Sequence, residues 1–146
     1  MKEFSNVKKY ATIDIGSNAI RLLISNIYIH NSELFTTKNS LVRVPIRLGE
    51  DAFKKGKISK KNISRLLDSM ISFKLLMKVH NVDKYLAYAT SALRSSSNGE
   101  RIIDLIEQKV NIKIQIISGE KEAVLITNNP AFLIKNKTFC FIDVGG

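Results

Sequence analysis

The chain has no tryptophan, one cysteine, two prolines and seven glycines in 146 residues. A single thiol, Cys140, cannot close an internal disulfide, so a reducing compartment is the simpler assignment. The scarcity of proline and glycine excludes collagen-like and low-complexity architectures. Long apolar runs are also missing. None approaches the roughly 20 residues that span a bilayer, and the first ten residues, Met1 to Tyr10, hold no apolar core of a signal segment. These absences lead to the expectation of a cytoplasmic protein without a membrane partner. What is present agrees with a folded domain: 45% hydrophobic and 25% charged residues, with enough length to bury a core.

Acidic residues are outnumbered, 13 against 23 lysines and arginines, which gives a net charge of +10. A basic surface attracts polyanions. The densest run, Lys54-Lys55-Gly56-Lys57-Ile58-Ser59-Lys60-Lys61, lacks interleaved aromatics and reads equally as solvated surface. The charge permits a polyanionic substrate without requiring one, and nucleic acid is not an expected partner.

Residues 10–16 are rich in β-formers and read as a strand. After a turn at Gly16-Ser17-Asn18 a second strand covers 19–29. A third covers 33–48, where Pro45 marks an edge or a bulge. This meander ends in Gly49-Glu50-Asp51, read as a loop. Ser59 can cap a helix over 60–79, with Ile63, Leu66, Leu67, Met70, Phe73 and Met77 at helical spacing. A strand at 83–89 follows, then a helix capped by Asn98 with Ile102, Ile103, Leu105, Ile106 and Val110 as its apolar positions. A strand at 112–117 leads to a helix opened by Ser118 or Gly119 and running toward Asn128. Residues 138–143 form an apolar strand that ends on Asp143. The order β-β-β-α-β-α-β-α-β predicts a mixed-sheet α/β domain. The last strand has no successor, so the chain is expected to be the N-terminal part of a longer protein.

Four segments could carry chemistry. In Asp14-Ile-Gly-Ser-Asn-Ala-Ile-Arg21 a strand ends on a carboxylate, and Gly16 allows a positive φ in the turn. Backbone N–H groups there, with Ser17 and Asn18, could wrap phosphate oxygens, but a plain Asx turn has the same pattern. Asp143-Val-Gly-Gly146 repeats that strand–Asp–x–Gly arrangement, with the same two readings. In Ala89-Thr-Ser-Ala-Leu-Arg94, a lone guanidinium among small hydroxyl residues suits anion recognition, though the loop could equally just cap the next helix. In Ser118-Gly-Glu-Lys-Glu-Ala123, Glu120 and Glu122 suit the positive end of a helix dipole, and either could serve as a general base toward a water.

Asp14-Ile-Gly-Ser-Asn-x-x-Arg21, Ala89 to Arg94 with Asn98-Gly99, Ser118-Gly-x-x-Glu-Ala123 and Ile142-Asp-Val-Gly-Gly146 together resemble the signatures of the Ppx/GppA family, in order and spacing. Arg47-Leu-Gly-Glu50 resembles that family's loop after the third strand. The resemblance covers essentially the whole chain. It implies an actin/hexokinase/Hsp70-like fold of two ribonuclease-H-like domains facing a phosphate cleft. Residues 1–126 would form the first domain, and 127–146 would begin a truncated second one. By position, Glu122 matches the catalytic glutamate that activates water. Asp14, Gly16, Ser17, Asn18 and Arg21 match the first phosphate loop, and Ser91 and Arg94 match groups that hold substrate phosphates. Gly145 and Gly146 match the start of the second loop, and Asp143 matches the acid nearest the expected magnesium ion. Ser95 stands where the family usually carries an acid. The implied activity is release of terminal phosphate from polyphosphate or guanosine pentaphosphate, and a full-length homodimer is compatible with it. An acetate- or sugar-kinase-like phosphotransferase and a non-catalytic phosphate-binding module are the alternatives.

Overall fold

Alternation of apolar residues organises the first strand, where Ala11, Ile13 and Ile15 are buried and Thr12 between them is exposed. The computed structural model describes residues 7–30 and 33–127. The expected strand at 138–143, with Asp143, Gly145 and Gly146, lies outside them.

Strand β1 (Lys8–Ile15) pairs antiparallel with β2 (Ile20–His30), and β2 pairs antiparallel with β3 (Glu33–Val44) across an irregularity at Ile24/Ser25. Strand β4 (Lys84–Ala89) runs parallel to β1, and β5 (Gln115–Ile116) runs parallel to β4. The sheet order is β3-β2-β1-β4-β5. Parallel neighbours need crossovers, and two long helices provide them: α2 (Lys60–Val79) and α4 (Gly99–Val110). Both cover one sheet face. Leu66, Met70, Phe73 and Met77 of α2 join Ile102, Ile106 and Val110 of α4 over Ile13, Ile15, Leu22 and Ile24. As expected, Ser59 caps α2, its side chain accepting from the Asn62 N–H.

The element order departs from expectation at two places. Gly49-Glu50-Asp51 is the first turn of a helix, α1 (Leu48–Lys55), and Ser91–Ser95 is a short helix, α3. The strand expected to run to 48 therefore stops at Val44, and Pro45 follows the edge strand, where its missing N–H costs no ladder bond. A signature of α1 is present in the sequence: acids in the first turn, lysines in the last, and Gly56 beyond, at φ 66°. The fifth strand is only two residues long, and Ile112 and Ile114 are buried in the loop that precedes it.

Asn98 is not a side-chain cap for α4. Its amide instead accepts from the Ile58 N–H and donates to the Ile58 carbonyl, each at 2.9 Å. One side chain thereby satisfies both backbone groups of a buried residue and ties the α1–α2 connection to α4. Asp51 does comparable work between α1 and α2. Its buried carboxylate accepts from the Ser59 N–H, the Ser59 hydroxyl, the Asn62 amide and Lys55. The Ser59 and Lys55 hydrogen bonds hold its pKa well below the usual 3.8, so this stabilisation is complete above that value and is lost progressively as the pH falls below it. Asp51→Ala is expected to lower stability by about 2–3 kcal/mol at neutral pH, read as a lower urea midpoint with unchanged m. A midpoint that does not move would remove this residue from the account of how α1 is anchored.

No helix among the described residues is long and apolar enough to cross a membrane. The carboxyl ends of the parallel strands β1, β4 and β5 share one edge of the sheet. That edge, where the chain leaves β1 toward β2 and leaves β4 toward β5, is where open α/β sheets hold ligands.

Candidate active site

The turn after β1 is closed by the Gly16 N–H donating to the Ala19 carbonyl at 3.2 Å. Gly16 does not take the positive φ that the sequence suggested, because Gly56 is the only glycine in that region among the described residues. Its value is room: a Cβ there would lie 3.2 Å from the Ala19 oxygen. Two further bonds clip the turn to the start of α1. The Arg47 N–H donates to the Asn18 carbonyl at 2.9 Å, and the Gly49 N–H donates to the Ser17 carbonyl at 2.8 Å.

Ser17 sits across from Ser91, the first residue of α3, with their hydroxyl oxygens 2.8 Å apart. Residues that are 74 positions apart in sequence thus meet because β1 and β4 are parallel neighbours in register, Ile15 opposite Ala89. Arg94, three residues on in α3, turns toward the β5 side. Its Nη1 donates to the Ile117 carbonyl at 2.6 Å and lies 3.8 Å from Glu122 Oε2. The first contact fixes the guanidinium, while the second is Coulombic and too long for a hydrogen bond. The two side chains are 34% and 33% exposed, so the pair is partly desolvated yet open to a ligand.

Glu122 is placed by α5 (Gly119–Thr127). Ser118 opens that helix, its hydroxyl accepting from the Lys121 N–H. Lys121 pins the first turn to the sheet edge, with Nζ 3.2 Å from Gln115 Oε1 and 5.3 Å from the centre of the Tyr88 ring. Glu120, on the same turn, is exposed. The two glutamates that look alike in sequence are therefore distinct in space.

Asp14 and Arg21 pair with each other. They are register partners on β1 and β2, joined at 2.9 Å and roughly half exposed. Arg21 therefore offsets the Asp14 charge beside the turn, which a phosphate would otherwise meet as repulsion. Asn18 contributes its carbonyl to the Arg47 bond, and its residue is exposed. The structure thus brings Ser17, Ser91, Arg94 and Glu122 to one edge, with Asp14 and Arg21 paired beside the turn. Sequence reading missed the left-handed backbone of Arg47 and the anchoring role of Asp51. It also missed Arg65, whose guanidinium donates to the carbonyls of Pro45 and Ile46. Only the acid–base pattern of α1 could have pointed to any of these.

No group of three His, Cys, Asp or Glu side chains assembles among the described residues. Magnesium needs less than that from a protein, usually one or two carboxylates beside water and substrate phosphates. Asp14 offers one carboxylate to such a set, with its Oδ2 also bonded to Arg21.

Comparison with known proteins gives a consistent picture. The Ppx/GppA phosphatase family model matches residues 31–146. The chain is 32% identical over 118 residues to the bifunctional 3-dehydroquinate synthase/phosphatase of Fusobacterium nucleatum, covering 79% of this chain and 18% of that one. It is 27% identical over 119 residues to exopolyphosphatase 1 of Mycobacterium tuberculosis, covering 80% and 33%. Among solved structures, an exopolyphosphatase from Cytophaga hutchinsonii superposes with a TM-score of 0.73 at 33% identity, covering 81% of this chain and 36% of that one. The Aquifex aeolicus member of the Ppx/GppA family gives 0.73 at 25% identity, covering 80% and 37%. The chain thus spans about a fifth to a third of the length of these curated relatives. The fold is the α/β, actin-like one of these structures, and the chain belongs to the Ppx/GppA phosphatase family.

Proposed function

We propose that this chain forms one wall of the active site of a phosphoanhydride hydrolase, which releases terminal phosphate from inorganic polyphosphate or guanosine pentaphosphate. The observation that carries this reading is the Arg94–Glu122 pair at 3.8 Å, beside the Ser17–Ser91 hydroxyl pair at the carboxyl edge of the sheet. A fixed guanidinium, two hydroxyls and a carboxylate open to solvent are the groups that phosphoryl transfer to water requires. The proposed roles follow from position. Ser17, Ser91, the 16–18 backbone and Arg94 hold the terminal phosphate, and Arg94 offsets the charge on its oxygens. Glu122 accepts a proton from a water. That water's oxygen bonds to the terminal phosphorus as the bond to the bridging oxygen breaks. The products are orthophosphate and a chain shorter by one unit.

Asp14, together with Asp143, would hold magnesium, whose charge would help neutralise the substrate oxygens. Residues 1–126 would belong to the first ribonuclease-H-like domain and 127–146 to the start of a second. The lack of any buried residue in α5, whose Val124, Leu125 and Ile126 are all exposed, supports a boundary there. The single thiol supports a cytoplasmic location.

The test is orthophosphate release with magnesium from polyphosphate and from guanosine pentaphosphate, measured on the polypeptide carrying both walls of the cleft. Steady release from at least one substrate is expected. Transfer of phosphate to acetate or a sugar, without release to water, would overturn the reading in favour of a kinase.

A further inference from the structure

Three non-glycine residues among those described have positive φ: Arg47, Asn81 and Asn111. Asparagine accepts this conformation readily, because its short amide can bond locally. Arginine has no such compensation, and at φ 62° and ψ 49° Arg47 is the outlier of the three. The structure holds it there from two sides. The Arg65 guanidinium grips the carbonyls of Pro45 and Ile46 just before it, at 3.0 and 3.2 Å. The Arg47 and Gly49 N–H groups bond to the carbonyls of Asn18 and Ser17 on the other side. Gly49 packs so closely that a Cβ there would lie 3.1 Å from the Ser17 Cβ.

Glycine would meet all of these backbone demands with less strain. What arginine adds is its side chain. Its side chain is 69% exposed, and among the described residues it pairs with Glu50, at 3.5 Å, itself 60% exposed. Such a pair is weak and readily exchanged for a stronger anion. Arg47 and Arg94 also lie on opposite flanks of the Ser17–Ser91 pair. Arg94 leans toward β5 through Ile117, and Arg47, between β3 and α1, is bonded through its N–H to Asn18 in the turn between β1 and β2. Cations on both flanks would meet different phosphates of one chain.

We infer that Arg47 is a specificity-determining residue that binds a phosphate of the substrate beyond the terminal one, so that it favours longer chains over single phosphates. The inference rests on the phosphate-cleft reading given above. In binding, the guanidinium leaves Glu50 and forms charge-assisted hydrogen bonds to a non-bridging oxygen of an inner phosphate. Glu50 is the competitor, so its carboxylate lowers the affinity that Arg47 provides.

The experiment titrates this chain with orthophosphate and with long-chain inorganic polyphosphate at fixed salt, and follows Tm in parallel. Arg47→Gly is expected to weaken polyphosphate binding about 10–100-fold and to change orthophosphate binding less than about twofold. Its Tm should hold or rise by about 0–3 °C, since the strain is relieved. Glu50→Gln should strengthen polyphosphate binding about twofold or more. Lys78→Ala, an exposed cation at the last turn of α2, should change it less than about threefold. Unchanged polyphosphate binding in Arg47→Gly would overturn the inference, as would equal losses in Arg47→Gly and Lys78→Ala. An equal loss for orthophosphate would also overturn it, because Arg47 would then be serving the terminal phosphate. Arg94→Ala tests the reading beneath: orthophosphate binding that survives that change would sink the cleft assignment itself, whatever Arg47 does.

Discussion

Glu122→Gln is expected to lower turnover about 10²–10⁴-fold while leaving KM for the phosphate substrate within about threefold. The substitution keeps side-chain length and helix propensity and removes only the capacity to accept a proton. Glu120→Gln is the internal control, because both residues lie in the first turn of α5 and both favour its dipole equally. Dipole compensation alone would cost either variant well under about 1 kcal/mol of stability and leave turnover untouched. The structure separates the two residues on geometry. Glu122 lies 3.8 Å from the Arg94 guanidinium at the sheet edge, whereas Glu120 has no ion pair among the described residues. Equal losses at both sites, or no loss at Glu122, would show that neither is the base.

Arg94→Ala is expected to raise KM by at least about 30-fold, since truncating one partner of a partly buried charged pair costs about 2–5 kcal/mol. Two contacts disappear together. The Ile117 carbonyl loses its 2.6 Å donor, and Glu122 loses the neighbouring positive charge. Because the Ile117 bond fixes the guanidinium, Arg94→Lys should recover only part of the affinity: an ammonium cannot bond a carbonyl and chelate a phosphate in one plane. A circular-dichroism melt separates this loss from unfolding, as the core of Phe73, Met70, Leu66 and Ile106 does not include Arg94. Unchanged KM in Arg94→Ala would return the residue to a role in closing the loop between β4 and α4.

A strand at β1, the twenty-residue helix α2 with its Ser59 cap, and a helix beginning at Gly119 were all legible because each is governed by local rules. Period-two alternation builds β1, a 3.6-residue period places Leu66, Met70, Phe73 and Met77 on one face, and a side-chain oxygen waits for the Asn62 N–H. Ser17, Ser91, Arg94 and Glu122 of the candidate site were legible for the same reason, as turn and helix-start motifs on short stretches of chain. Asn98 shows the limit. Its position before α4 reads as a cap, yet its amide is claimed by the backbone of Ile58, 40 residues away. Gly16 shows another: the residue type suggested a left-handed turn, and the structure uses its missing side chain for clearance instead.

By itself, then, the amino-acid sequence determined the α/β class, the apolar faces that form one core, and which short motifs could meet a phosphate. Those follow from periodicity and residue chemistry, which act over a few residues at a time. Only the tertiary structure decided that Ser17 meets Ser91, that Glu122 rather than Glu120 approaches Arg94, and that Arg47 is bent into a left-handed turn against Asn18. Each of these depends on the parallel pairing of β1 with β4 and β4 with β5, or on the packing of α1 against the first turn. Such contacts join residues that are tens of positions apart, and no local pattern records which partner a strand edge or a helix start will find.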